Sequence, residues 1–296
     1  MDKIALNDGQ KIPPIGYGPG ILSYDYSGFL LKSRSFPAKV ICHLFQKKLI
    51  QSAKESIEDS FISSIAYAMQ TGFELIDYSA AYGDGSFIGK AIKLSGISRK
   101  KLCLTARVSN HAQFSGSVRQ EFLKTLHNYQ TDYVDILMFH WPVPGCFLQT
   151  WKEMRLLQKE GLVKSLAVAN CHEHHINQLS ETGQLPVINQ IEVHPLFSQE
   201  KLRAFCKRNK IVVQAYTPIA RNDDRLIRLP KLKEIAQRHK KTCAQIILRW
   251  HIQKGLVPVI KSLSKEHINA NLQVFDFSLS QVEINTIDSF NINSRL

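Results

Sequence analysis

No apolar run in the 296-residue chain approaches the roughly 18 residues that a membrane-spanning helix needs. The N-terminal MDKIALNDGQ carries an acidic residue at position 2 and no apolar core, so the sequence reads as neither secreted nor membrane-spanning. Its six cysteines, Cys42, Cys103, Cys146, Cys171, Cys206 and Cys243, contain no CxxC pair, which suggests neither a zinc cluster nor a disulfide framework. A reducing cytoplasmic compartment suits them. No GxGxxG stands between a strand and a helix, so the dinucleotide fingerprint of a doubly wound sheet is missing. Gly16-Tyr17-Gly18-Pro19-Gly20 is a poor substitute, because Pro19 and an irregular stretch follow where a helix would begin.

Acidic residues are also in short supply. Lys and Arg number 38 against 25 Asp and Glu, for a net charge of +13, which favours anionic partners such as nucleotides or phosphorylated ligands. The basic residues are dispersed and form no nucleic-acid motif, so no nucleic-acid partner is expected. At 44% hydrophobic residues the chain can bury a large core.

IALNDGQKIPPIG reads as a hairpin about Asp8-Gly9. Residues from about 19 to 54 form an irregular, aromatic and basic insertion. Its second half, PAKVICHLFQKKLIQ, spaces Val40, Ile41, Leu44, Phe45 and Leu49 as a helix with lysines on the other side. From Ser56 onward helical runs (SIEDSFISSIAYAMQTG, SVRQEFLKTLHNYQ, FLQTWKEMRLLQKEG, CAQIILRWHIQKG) separate short apolar runs of strand type (FELID, LCLTAR, VDILMFH, SLAVAN, VINQIE, IVVQAY, VPVIKS). With IPPIGYG these make eight parallel strands, the number that closes an α/β barrel. The expected fold is a (β/α)8 TIM barrel over residues 1–296, one domain, with an N-terminal β-hairpin and an insertion after the first barrel strand. The runs end on Asp77, Arg107, His140, Asn170, Gln190, Tyr216 and Lys261, which a barrel brings to one mouth. His172, His174 and His175 lie directly after a strand, where neighbours one apart share no helical face, and no second cluster completes four ligands, so no metal is expected.

Taken in order, GFELIDYSAAYGDGSFIGKAI, LCLTARVSN, VDILMFHWP, VINQIEVHP, VQAYTPI and VPVIKS resemble the aldo-keto reductase family over nearly the whole chain. The resemblance implies an NADP-dependent oxidoreductase that reduces an aldehyde or ketone, or reversibly oxidises an alcohol. Tyr82 matches the proton donor, Asp77 and His140 the aspartate and histidine of the family tetrad, and His140 and Trp141 the substrate side. Arg107 stands where the family has lysine; it keeps the charge and can pair bidentately with Asp77, but is effectively never deprotonated. For the cofactor, the resemblance assigns Asp77, Asn170, Gln190, Tyr216, Thr217, Lys261, Ser262, His267 and Asn271. Ala169 replaces a serine, and His267 replaces an arginine that grips the 2′-phosphate, so discrimination against NAD should be weaker. Beyond its small carbonyl substrate the protein is expected to be a monomer or weak oligomer. The Arg107 substitution also supports an alternative, a cofactor-binding but catalytically weak member acting as an interaction or regulatory protein. The tail FNINSRL is short where family members continue across the pocket.

Overall fold

The computed structural model describes residues 2–20, 22, 38–79 and 85–296, with side chains of 38–53 left out of the description. Two short strands, β1 (Ile4–Ala5) and β2 (Lys11–Ile12), pair antiparallel with Ile4 opposite Ile12. The turn between them passes through Gly9 at φ 86°, a left-handed conformation that glycine adopts without steric cost.

Eight parallel strands then close on themselves. They are β3 (Gly16–Tyr17), β4 (Leu75–Asp77), β5 (Cys103–Val108), β6 (Val134–Phe139), β7 (Val163–Ala169), β8 (Ile188–Glu192), β9 (Val212–Tyr216) and β10 (Val257–Ile260). Each pairs with the next, and β10 returns to β3 with Val259 opposite Gly16 and Ile260 opposite Tyr17. The (β/α)8 barrel and the hairpin are therefore both present as expected. These strands read as near-continuous apolar runs because both faces are covered, the inner by the bore and the outer by helices. Outside the strands, Phe61, Ile65, Phe73, Ile88, Trp151 and Trp250 belong to the larger buried cluster.

Inside the bore the packing changes along the axis. Leu6 and Ile12 of the hairpin pack with Leu75, Ile136, Met138, Ala167, Ile188 and Val257, so the hairpin stops the N-terminal end of the barrel with apolar side chains. The Asp8 carboxylate fixes the plug in rotation by accepting from Ser165 Oγ at 2.6 Å.

One boundary differs from the sequence expectation. The periodic segments at 37–51 and 56–72 are one continuous helix, Ala38–Thr71, stopped by Gly72 at φ 114°. Nothing between them breaks a helix: Ser52, Ala53, Lys54 and Glu55 include neither proline nor glycine. The lysine face expected on its first half falls on side chains outside the described residues. No helix of the described residues is long and apolar enough to cross a membrane.

Candidate active site

The C-terminal ends of the strands surround a cleft of about 820 Å³. Asp77 closes β4, Arg107 lies one residue from the end of β5, and Tyr216 closes β9, while His140, Asn170 and Lys261 follow β6, β7 and β10 directly. All six line the cleft with Gln190, Trp141, Thr217, Ser262 and His267. Asn271, the remaining residue expected at the cofactor, is buried in the helix Lys265–Leu272 and does not line it. Tyr82 lies outside the described residues, in the segment joining β4 to the helix Ser86–Ser95.

The floor of the cleft is a polar network in the bore. Arg107 and Asp77, both almost completely buried, form an ion pair through Arg107 Nη2 and Asp77 Oδ2. The pairing is not the expected bidentate fork, because the same Nη2 also donates to Gln190 Oε1 at 2.5 Å. Gln190 Nε2 donates in turn to Asp77 Oδ2 at 3.1 Å and to Gln214 Oε1 at 2.6 Å. A guanidinium reaches farther than a lysine amine and carries several donors, so a second acceptor beside Asp77 is needed to seat it. Asp77 Oδ1 is buried with no hydrogen-bond partner among the described residues.

A second network holds the wall. Asn170 stands at φ 58°, and its side chain donates to the His140 carbonyl at 3.1 Å and accepts from the Tyr216 hydroxyl at 2.9 Å. Thr217 follows at φ 53°, a costly conformation for a β-branched residue. Strain of this kind persists where surrounding structure over-determines it, typically at functional sites. Burial, aided by the Arg107 charge, pushes the His140 pKa down to about 4, so its imidazole is neutral at pH 7.

The rim is cationic. Lys261 and His267 flank the start of the helix Lys265–Leu272, whose first turn is capped by Ser264, and Arg221 lines the cleft near them. The chain approaches closely here: a Cβ on Gly18 would sit 2.9 Å from Val259 Cγ1, and Gly20 at φ 72° lies beneath the Lys261 side chain.

The chain end supplies residues that sequence reasoning missed. Backbone amides of Ile292 and Ser294 donate to the Leu196 carbonyl, which turns the tail back over the mouth. Arg295 and Leu296 join the lining there with Glu192, Arg221 and Asn222. Glu192, only 3% exposed, accepts from the Leu296 amide at 2.7 Å and faces His194 Nε2 at 3.1 Å. Nothing in the tail's polar composition marks it as part of a pocket. The histidines 172, 174 and 175 form a small stack, with His174 Nε2 and His175 Nε2 3.0 Å apart. Among the described residues no group of His, Cys, Asp and Glu is arranged to hold a metal ion.

Residues 47–292 match the Aldo/keto reductase family. Methylglyoxal reductase DkgA of Escherichia coli K12 is 36% identical over 245 residues, covering 82% of this chain and 88% of the relative. Glyoxal reductase of Bacillus subtilis is 35% identical over 234 residues, covering 79% and 84%. The crystal structure of an aldo/keto reductase from Brucella melitensis superposes with a TM-score of 0.83 at 34% identity, over 98% of this chain and all of that one. A match across most of the barrel, on a chain whose polar residues gather at the C-terminal mouth, leaves one assignment: this chain belongs to the aldo/keto reductase family, and is an NAD(P)H-dependent oxidoreductase that reduces carbonyl compounds.

Proposed function

We propose that the protein reduces a small aldehyde or ketone, and oxidises the corresponding alcohol in reverse, with NADP as cofactor and Tyr82 as proton donor. The observation that carries the reading is the convergence of Asp77, Arg107, His140, Asn170 and Tyr216 on one cleft whose rim is cationic. The residues fit a phosphorylated nicotinamide dinucleotide. The orphaned Asp77 Oδ1 is a buried acceptor at the floor, Gly18 and Gly20 bring backbone close to the cleft, and Lys261, Arg221 and a helix N-terminus gather positive charge at the rim beside His267. When bound, that cofactor supplies the hydride.

The chain's own groups do the rest. Tyr216 offers its ring as a stacking face, held by the hydrogen bond to Asn170, and Asn170 keeps the carboxamide side. Gln190, expected at the carboxamide, has both amide atoms engaged by Arg107, Asp77 and Gln214, so its main duty is to seat the guanidinium. Thr217 and Ser262 would flank the phosphates and Lys261 and His267 the 2′-phosphate, while Asn271, buried in its helix and outside the cleft lining, would serve the adenosine end. A free phenol titrates near 10, so a proton-donating Tyr82 needs a cation to favour the phenolate, and in this reading that part falls to Arg107, acting by charge alone. Neutral His140 presents an N–H that orients the carbonyl oxygen beside Trp141. The names of the relatives suggest small dicarbonyls such as methylglyoxal as first substrates to test.

The test is NADPH oxidation by the purified protein with a panel of aldehydes including methylglyoxal, beside a fluorescence titration of NADPH. Tyr82→Phe is expected to lower turnover at least about 100-fold, the lower range for general acid catalysis, and to leave NADPH affinity nearly unchanged. A Tyr82→Phe protein as active as wild type refutes the mechanism. NADPH binding without turnover across the panel supports the catalytically weak reading that Arg107 favours.

A further inference from the structure

Beyond the proton donor and the cofactor, the mouth contains a cation that none of the roles above uses. Arg295 comes from the folded-back tail. Its guanidinium carbon stands 5.2 Å from the centroid of the Trp141 ring, its Nη2 lies 3.4 Å from the Tyr216 hydroxyl, and its Nε lies 3.5 Å from Glu192 Oε2. The side chain is thus held over Trp141 and Tyr216, beside the positions assigned to carbonyl and nicotinamide. Its Nη1 has no hydrogen-bond partner among the described residues, and about half of the side chain is exposed.

Glu192 does not cancel this charge toward the cleft. The carboxylate is buried and faces His194 Nε2, the Leu296 amide and Arg295 Nε, so its oxygens are engaged within the wall. His194 is itself fully buried, and burial lowers its pKa, so it serves Glu192 as a neutral donor. The acid anchors the arginine at Nε, leaving Nη1 without a partner among the described residues on a half-exposed side chain that lines the cleft. A guanidinium whose Nη1 is unengaged, and whose Nη2 has only the 3.4 Å contact to Tyr216, keeps N–H donors for a carboxylate, and a neighbouring tryptophan face suits the carbon skeleton that carries it.

We infer that Arg295, braced by Glu192, Trp141 and Tyr216, is a specificity-determining residue that selects carbonyl substrates bearing a carboxylate. The inference rests on the carbonyl-reductase reading of the same cleft, and its test separates the two. Kinetics compare succinic semialdehyde and 4-carboxybenzaldehyde, each against its neutral methyl ester, in wild type, Arg295→Met and Arg295→Lys. At least one acid is expected to exceed its ester tenfold or more in kcat/KM, through KM more than kcat. Arg295→Met, which keeps the length and apolar stem of the side chain, collapses that ratio toward one, and Arg295→Lys retains part of it. Esters equal to or better than both acids, or an undiminished ratio in Arg295→Met, overturn the inference.

Binding is followed in parallel without turnover, by fluorescence of Trp141, the exposed tryptophan of the chain, with benzoate and its neutral counterpart benzamide as probes. Tighter benzoate binding that Arg295→Met abolishes supports the anion subsite even if no aldehyde is reduced, in which case only the catalytic reading falls. Equal binding of benzoate and benzamide overturns the subsite whatever the turnover.

Discussion

At the N-terminal end of the barrel Leu6 and Ile12 fill the bore with hydrocarbon, whereas at the C-terminal end Asp77, Arg107, Gln190 and Gln214 fill it with a hydrogen-bonded polar network. The same eight strands supply both linings. An apolar plug contributes stability in proportion to the area it removes from water and tolerates similar shapes. A buried ion pair contributes little net stability, because desolvation offsets its attraction, yet losing one partner is severe. A barrel that keeps such a network at its mouth therefore points to chemistry there rather than to stability.

The largest effect that can break this comparison is a paired substitution. Arg107→Met strands the Asp77 carboxylate and is expected to lower unfolding free energy by about 3–5 kcal/mol and to abolish turnover. Leu6→Ala is expected to cost about 2–3 kcal/mol through lost burial and a cavity, with kcat/KM unchanged. Denaturant melts and aldehyde kinetics on both variants decide it; lost activity in Leu6→Ala at temperatures where it stays folded would erase the division of labour. A smaller effect sharpens the picture of the wall. Tyr216→Ala should weaken NADPH by about 1 kcal/mol or more, taking aromatic pairs as a guide, and unchanged affinity in a fluorescence titration would remove the ring from the stacking position.

The smallest expected effect concerns pH. His140 has a folded pKa of about 4, against about 6.5 for an unfolded histidine, so between these values the unfolded chain binds more protons. Stability from this residue is complete above pH 6.5 and is lost as pH falls toward 4. The drop in thermal midpoint from pH 6.5 to 5 should thus be shallower in His140→Gln. An acid limb in kcat/KM caused by His140 belongs near pH 4, and a limb near 6.5 that disappears in His140→Gln would contradict the buried, neutral imidazole.

Much of this mouth was legible in the sequence, because each parallel strand is a short apolar run that stops on a polar residue. Asp77, Arg107, His140, Asn170, Gln190, Tyr216 and Lys261 were found that way, and all line the cleft. The hairpin was legible from Asp8-Gly9. What escaped were relations between distant positions. Gln190 bonds Arg107 across 83 residues and Gln214 across 24, and no local pattern reports that a glutamine will be consumed in seating an arginine. Arg295 and Glu192 meet across the mouth only because the tail turns back at Leu196. The continuous helix Ala38–Thr71 was split in the sequence reading because its apolar spacing weakens between Leu49 and Ile57, although no residue there stops a helix.

The brevity of β3 has a consequence for the order of folding. Gly16 and Tyr17 are its whole length, and they join the beginning of the chain to β10, while Tyr17 donates to the Ser262 carbonyl 245 residues away. By contrast β6 and β7 are held by five paired positions and a local crossover. Closing so long a loop for so few ladder bonds is entropically expensive, which makes this seam the last to zip and the first to open. Native-state hydrogen exchange should find the Gly18 amide, bonded to the Ile260 carbonyl at 3.0 Å, exchanging well before the amides of β6 and β7; equal protection would mean that the barrel opens only as a whole. Because the seam lies beside Lys261, transient unzipping there would widen the cationic rim without disturbing Asp77 and Arg107.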